Sequence, residues 1–311
     1  FGSRYFAIFY RPPTLEHKTD RSNNKMAGKI TVMMNGLPGA MGVEVGQAVL
    51  RRGFDLTSVA LTGPGSPTEC EVTEGGVTAK VELVSSDHPE AQEAALRKMQ
   101  EQHGANLVIV DFTHPTAVNP NGNLYAKTKA PYVMGTTGGD RDELMKVTLE
   151  SGTYAIIAPN MCKQIVALQA TIERMAKDFP GAFGGYKMDL TESHQKTKAD
   201  TSGTAKDMVK HFNGLGVEPF GEEDIKKLRT DEDSLAFGVP ESAMKGHAFH
   251  TYGLTSPDGT VRFEFKHNVC GRRTYAEGVV DAVQFLAQKI AAGSEKKVFN
   301  MIDVLSEGQM K

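Results

Sequence analysis

The segment from Glu192 to Asp207 combines residue types that could bind a small acidic molecule and exchange a proton with it. His194 carries the one side chain of this segment that gains or loses a proton near neutral pH. Lys198 adds a positive charge, and a Ser-Gly-Thr turn precedes a helical pattern. Because the free N–H groups of a starting helix favour an anion, the segment predicts a carboxylate site beside a proton donor.

A plainer interpretation of the same residues is open. A serine or threonine before a helix is most often an N-cap. Lys196, Lys198 and Lys206 could form an ordinary solvated face. The segment alone does not decide between a binding site and a capped helix.

A second motif places Gly36, Gly39 and Gly42 between an apolar run at Ile30–Met34 and a helical pattern at Val43–Arg52. In such a turn one glycine makes the tight bend, another admits a pyrophosphate, and the last lets the helix pack closely on the strand. This order predicts a dinucleotide site, with a purely structural turn as the weaker alternative.

The end of the second strand indicates which dinucleotide binds. An acidic residue there would bind the ribose hydroxyls of NAD and repel the extra phosphate of NADP. The apolar run Leu56–Leu61 ends at Thr62, without an acid at its tip. NADPH is therefore favoured as the cofactor, and NADH stays possible.

Two further turns follow apolar runs, at the strand ends where open α/β folds bind their ligands. Arg272 follows a later strand pattern, where it could also neutralise a dianionic substrate, brace the domain junction or form a surface ion pair. The candidate cofactor contacts outside the glycine turn are Thr62, Phe112, Thr113, Gly135, Thr136, Thr137, Asn160 and Arg272.

The elements that must position these residues indicate an α/β protein. Strand and helix patterns alternate over residues 29–160, which predicts an N-terminal Rossmann-type doubly wound parallel sheet. Residues 161–273 suit a smaller α+β domain with a mixed sheet, which would make the substrate and oligomer contacts. A helix over 274–292 is expected to return to the first domain, so residues 274–311 would complete that domain. Residues 218–240 read as a polar loop with short helical turns. The predicted strands after the second are Ala79–Val84, Asn106–Phe112, Pro131–Met134, Tyr154–Ala158, Gly184–Glu192, Gly246–Gly253 and Val261–Val269.

Composition excludes several classes of function. The 311 residues are 40% hydrophobic and 23% charged with a formal net charge of -3, which argues against nucleic acid as a partner. No apolar run is long enough to span a bilayer, so no membrane partner is expected. Three distant cysteines form no metal-binding pair, and His247 and His250 are the nearest approach to a ligand pattern. We therefore expect no metal site.

The motifs occur in a fixed order: G-x-x-G-x-M-G at Gly36–Gly42, G-T-T-G at Gly135–Gly138, and E-x-H-x-x-x-K-x-D-x-S-G-T-A at Glu192–Ala205. This order resembles 4-hydroxy-tetrahydrodipicolinate reductase, also called dihydrodipicolinate reductase, a family of the diaminopimelate route to lysine. The resemblance implies an NAD(P)H-dependent oxidoreductase that reduces a cyclic dicarboxylate with loss of water. It also implies a proton donor at His194 and an essential substrate-side lysine at Lys198. The residues matching the family's substrate and pyrophosphate segments are Gln195, Ser202, Gly203 and Thr204, and Gly36, Leu37, Gly39, Ala40, Met41 and Gly42.

Departures from the bacterial pattern resemble the plant and algal branch. Gln195 stands where many bacterial members have a second histidine, Ala40 where an arginine is common, and the segment before Ser202 is one residue shorter. That branch works in plastids, which agrees with the basic, acid-poor leader at residues 1–28, although a cloning scar or a flexible arm would look the same. The expected location is the chloroplast stroma, or the cytoplasm if the branch is wrong. A homodimer and a homotetramer are equally open.

Two rival functions are compatible with parts of the sequence. Cys162 stands near a helix start that could depress its pKa, which would suit a thiol-dependent semialdehyde dehydrogenase. A non-catalytic, nicotinamide-sensing regulator could use the same fold, but it would not need the charged cluster around His194.

Overall fold

A computed structural model describes residues 28–198 and 200–307. Apart from Gly28, the predicted basic leader lies outside the described residues. The elements of the first region are β1 (Thr31–Asn35), α1 (Ala40–Arg51), β2 (Asp55–Leu56), β3 (Val59–Thr62), β4 (Glu69–Glu74), β5 (Val77–Ser85), α2 (Pro89–His103), β6 (Leu107–Asp111), α3 (Val118–Thr128), β7 (Tyr132–Met134), α4 (Arg141–Ser151) and β8 (Ala155–Ile157). They are followed by α5 (Lys163–Asp178), β9 (Lys187–His194), α6 (Gly203–Gly214), β10 (Lys226–Leu228), α7 (Asp231–Ala236), β11 (His247–Thr255), β12 (Arg262–Cys270), α8 (Arg273–Ala291), β13 (Val298–Phe299) and α9 (Met301–Ser306).

The predicted parallel sheet is confirmed. Six strands pair in the order β13-β8-β7-β6-β1-β2, all in parallel. Val108 and Val110 of β6 face a core shared with α1 and α8, whereas Leu107 and Ile109 face a core shared with α2, α3 and α4. Because helices bury both faces, the central strands read as continuous apolar runs in the sequence.

The prediction of one second strand over Leu56–Leu61 is wrong in one respect, because two separate short strands, β2 and β3, occupy this stretch. Asp55–Leu56 pairs with β1, but Val59–Thr62 leaves the main sheet and pairs with β5 in a three-stranded sheet of order β3-β5-β4. The strand β4 was not predicted. Its residues are mostly polar and only Val72 is buried, so it lacks the apolar pattern of a core strand.

The predicted mixed sheet is also confirmed, in the order β10-β9-β11-β12. Strand β11 lies antiparallel to β9 and β12, and β10 runs parallel to β9. The helices α5 and α6 cover one face of this sheet, where Leu190 and Tyr252 share a core with Met208 and Phe212. Strand β10 lies within residues 218–240, which were expected to be loop.

The helix α8 packs on the parallel sheet beside α1. Its Asp281 is fully buried and accepts hydrogen bonds from Lys163 at the start of α5 and from Arg52, the latter at 2.8 Å. Gly278 of the same helix approaches the Met161 carbonyl so closely that a Cβ would lie 1.8 Å from its oxygen. These contacts fix the junction between the two regions. Among the described residues, no helix combines the length and apolar character needed to cross a membrane.

Candidate active site

The glycine turn between β1 and α1 depends on close backbone approach. Gly36 has φ +99°, and a Cβ there would lie 2.2 Å from the Phe112 carbonyl oxygen. At Gly39 a Cβ would lie 2.7 Å from the Gly36 oxygen. Gly39 is the N-cap of α1 and provides no side-chain acceptor, so the first-turn N–H groups can face an anion.

A cleft of about 550 Å³ lies over this turn. The predicted cofactor residues that line it are Gly36, Leu37, Gly39, Thr62, Phe112 and Thr113. Thr62 donates from Oγ1 to the Leu37 carbonyl at 2.7 Å, which joins the end of β3 to the glycine turn. Among the described residues lining this cleft there is no carboxylate. A dinucleotide phosphate would therefore meet no negatively charged side chain of the described residues in the cleft.

Ala40, Met41 and Gly42 form the start of α1, directly after Gly39, and do not line the cleft. Gly135 packs on Phe112, where a Cβ would lie 2.0 Å from the ring. Thr137, two residues further on, is exposed.

The turns that follow β6 and β7, which carry the candidate cofactor contacts Thr113 and Thr136, are joined by one buried carboxylate. Asp111, at the end of β6, accepts hydrogen bonds from Thr113 N and Oγ1 at 3.1 and 2.8 Å and from Thr136 Oγ1 at 2.7 Å. Its other oxygen accepts from Asn121 and Tyr125. Burial, together with this carboxylate, holds the pKa of Tyr125 well above its usual range, so the phenol stays a donor. Neither Asp111 nor Tyr125 was a predicted site residue.

The mixed sheet presents His194 at the end of β9. The side chain is 6% exposed, and its Nδ1 lies 3.2 Å from the His247 carbonyl oxygen. Burial and the neighbouring His250 together lower the pKa of His194 to about 3, although Glu192 acts in the opposite direction. The imidazole is therefore neutral in the ligand-free protein.

Glu192 lies two residues before His194 and is fully buried. It accepts a hydrogen bond from the Arg229 guanidinium and, at 3.2 Å, from the backbone N–H of Ser202. Burial alone would raise the pKa of Glu192, but its interactions with His250 and Arg229 outweigh that effect and lower the pKa to about 2. Arg229 also donates to the backbone carbonyls of Lys198 and Asp200. It thereby holds the segment that carries Lys198 against the sheet.

The remaining predicted substrate residues lie around the start of α6. Ser202 is its buried N-cap and Gly203 its first residue, with open space where a Cβ would stand. Thr204 accepts a hydrogen bond of 3.0 Å from Asn160, which brings the end of the parallel sheet to this helix. Lys198 pairs with the exposed Asp200 at 2.9 Å.

A smaller cavity of about 180 Å³ joins His194 and Gln195 to Arg272 and Tyr275. Arg272, which the sequence placed among the cofactor contacts, thus lies beside the proposed proton donor and does not line the glycine cleft. Its position favours the alternative role, neutralising a dianionic substrate.

Sequence reasoning did not find Arg229 or His250 as part of this cluster. Arg229 falls in the stretch read as a polar loop, and His250 meets Glu192 only through the register of β9 and β11.

Cys162, the nucleophile of the rival function, lies outside both cavities. It is 3% exposed, packs with Ile165 and Val269, and its Sγ lies 3.3 Å from Thr274 Oγ1. This environment does not favour a thiol centre.

Two family models cover most of the chain. "Dihydrodipicolinate reductase, N-terminus" matches residues 30–161, and "Dihydrodipicolinate reductase, C-terminus" matches residues 164–305. The chloroplastic 4-hydroxy-tetrahydrodipicolinate reductases 2 and 1 of Arabidopsis thaliana are 47% and 45% identical over 285 residues, covering 91% of this chain and 79% of each relative.

A solved structure shows the same fold. The dipicolinate-bound dihydrodipicolinate reductase from Paenisporosarcina sp. TG-14 superposes with a TM-score of 0.59 at 17% identity, over 88% of this chain and 98% of that one. The resemblance seen in the motifs is confirmed: this chain belongs to the dihydrodipicolinate reductase family.

Proposed function

We propose that this protein catalyses the NAD(P)H-dependent reduction of 4-hydroxy-tetrahydrodipicolinate to tetrahydrodipicolinate, with loss of water, in lysine biosynthesis. The observation that carries the proposal is the cavity that brings His194 and Arg272 together. Glu192, two residues before His194, accepts the N–H of Ser202 at the start of α6 and a hydrogen bond from Arg229, which also binds the Lys198 carbonyl. A dicarboxylate needs such cationic and N–H-rich surroundings. Family membership supplies the reaction.

The C4 hydroxyl would leave as water together with a proton from the adjacent ring carbon, which creates a double bond conjugated to the C=N bond. The chemistry that a bound nicotinamide would supply is a hydride, which C4 would accept. The displaced electron pair would move to the ring nitrogen, where a proton must be delivered. His194 is the proposed donor. The resulting enamine would return to the imine when a proton moves from the nitrogen to the ring carbon.

His194 is neutral in the ligand-free protein, so it must gain a proton before it can act as the donor. Two substrate carboxylates entering the cavity would favour the imidazolium and raise its pKa. Nδ1 would keep its hydrogen bond to the His247 carbonyl, so Nε2 would carry the transferable proton. Lys198, now paired with Asp200 at the surface, would exchange that partner for a substrate carboxylate.

We further propose NADPH as the preferred cofactor, held by the glycine turn and by the turns that Asp111 joins. Hydroxyl groups of Thr62, Ser66 and Ser86 line the cleft, and no described carboxylate there opposes a 2′-phosphate. Residues 29–160 with 274–311 would form the cofactor domain, and residues 161–273 the substrate domain. Closure of the two domains would exclude water from the site of hydride transfer.

We infer a plastid location from the chloroplastic relatives, and a homo-oligomer built on the mixed sheet from the family resemblance. Light scattering of the purified protein decides between dimer and tetramer.

The direct test is an assay with freshly generated substrate, run in parallel with NADPH and NADH. Oxidation of either nicotinamide that depends on the dicarboxylate supports the function. Failure with both would contradict it and favour the regulator.

A further inference from the structure

Three buried side chains of ligand type converge on the covered face of the mixed sheet: Glu192, His194 and His250. They are 0%, 6% and 1% exposed. One ligand atom from each lies within 4.8 Å of the other two. The register explains the cluster, because His250 stands directly opposite Glu192 on the neighbouring strand, and His194 follows two residues later on the same face.

The imidazole nitrogens of this cluster are not satisfied by the protein. The His247 carbonyl can only accept, so His194 carries its proton on Nδ1 and presents a bare lone pair at Nε2. Within the described chain, neither this Nε2 nor either nitrogen of His250 has a hydrogen-bond partner. Buried polar atoms in this state call for a partner.

The carboxylate faces the Nε2 atoms of both histidines. Glu192 Oε2 lies 4.0 Å from His194 Nε2 and 3.7 Å from His250 Nε2 and also accepts the Ser202 N–H, whereas Oε1 is taken by Arg229. A carboxylate opposite two imidazole nitrogens is a donor set for a borderline-soft divalent cation.

We propose that Glu192, His194 and His250 form a reversible, inhibitory Zn²⁺ site. Tetrahedral zinc with bonds of about 2.1 Å places its ligand atoms about 3.4 Å apart, so small side-chain rotations would close the cluster. The fourth position would be taken by a water that enters from the cavity that His194 lines. The hydrogen bond from His194 Nδ1 to a carbonyl is the outer-shell contact that orients metal-binding histidines.

Charge limits the affinity of this site. Arg229 already neutralises part of the charge on Glu192, and Arg272 lines the adjoining cavity. Zinc should therefore bind reversibly and be removed by EDTA. The binding does not depend on the proposed function, but the inhibition rests on it, because zinc would occupy the nitrogen of His194 that delivers the proton.

The binding test uses the whole purified protein, stripped with EDTA and titrated with Zn²⁺, and with Co²⁺ as an absorbing probe. We expect one metal per chain and the intense visible bands of tetrahedral Co²⁺. The change His250→Gln should weaken binding at least about tenfold, as loss of even an outer-shell partner does.

The matched control is His267→Gln. His267 is a half-buried histidine of this sheet, stacked on His250 at a centroid distance of 4.7 Å, but it lies outside the cluster. It should keep the zinc affinity. Absence of stoichiometric binding, or an equal loss in both variants, overturns the site.

The inhibition test measures turnover against Zn²⁺ at several concentrations of substrate and of NADPH. Zinc should compete with the dicarboxylate and not with the nucleotide. If zinc binds through His250 but leaves turnover unchanged, the role of His194 fails and the inhibitory part with it. If zinc does not bind while His194→Ala abolishes turnover, the metal site fails and the proposed function stands.

Discussion

The Tyr125 hydroxyl donates a hydrogen bond of 2.7 Å to the buried carboxylate of Asp111, and it accepts one of 2.8 Å from Asn35. Asn35 in turn accepts from the backbone N–H of Leu61. Through this chain of contacts, the ends of β1, β3 and β6 and the turn after β7 are tied to one another below the cofactor cleft.

The change Tyr125→Phe should therefore loosen the cofactor site without touching the cofactor. It leaves Asn35 and Asp111 each short of one partner, which should cost about 2 kcal/mol of unfolding free energy. We expect the KM for NADPH to rise about tenfold, equivalent to about 1.4 kcal/mol, with a smaller change in kcat. Tyr132→Phe is the control, because that buried hydroxyl bonds to Thr148 and not to the cofactor turns. Equal effects of both changes on KM would refute the role of Tyr125.

An acid placed after β3 should reverse the cofactor preference. A Cβ at Gly63, which lines the cleft, meets no atom within 4 Å, so Gly63→Asp is sterically allowed. Its charge should lower kcat/KM for NADPH relative to NADH by about tenfold or more, because like charges in contact cost several kcal/mol. Gly63→Asn has the same size without the charge and should leave the ratio almost unchanged. If both variants shift the ratio alike, the argument from charge is wrong.

Stability should fall when His194 and His267 of the mixed sheet, which the fold holds neutral, are forced to protonate. Burial lowers the pKa of His194 and of His267 to about 3, whereas both would titrate near 6.5 in the unfolded chain. The folded protein therefore binds fewer protons below pH 6.5, and the contribution present above that pH is lost as the pH falls towards 3. The unfolding free energy should drop by up to about 1.4 kcal/mol per pH unit for each histidine.

Denaturant unfolding between pH 7 and 4.5, with EDTA present, measures this slope. The titration stops at pH 4.5 because Glu192, whose pKa is lowered from 4.5 to about 2 in the folded protein, would also reduce the unfolding free energy below that pH. His267→Gln removes one of these groups and should reduce the slope by up to about 1.4 kcal/mol per pH unit. An unchanged slope would mean that His267 is not held neutral by the fold.

The parallel sheet could be predicted because its central strands are buried on both faces. Runs such as Leu107–Asp111 then carry a signal that needs no knowledge of their neighbours. β10 is three residues long with two exposed lysines, and it is fixed by pairing with β9, so its own residues give little sign of a strand.

The candidate site was predictable only where its residues share one short segment. His194, Lys198 and Ser202 stand within nine residues, and their chemistry is visible in the sequence. Arg229 and His250 join them through strand pairing across the mixed sheet, and Asp111 through the meeting of strand ends. No local pattern specifies those registers.

The central claim is that His194 delivers the proton, and turnover of His194→Ala tests it most directly. Steady-state kinetics with fresh substrate and NADPH should show kcat reduced by about 10²- to 10⁴-fold, as expected for loss of a general acid. The dissociation constant for NADPH, measured by fluorescence titration, should stay within about twofold, since His194 lines the substrate cavity and not the cofactor cleft. A variant that keeps its kcat, or one that loses NADPH binding in proportion to its turnover, would contradict the account.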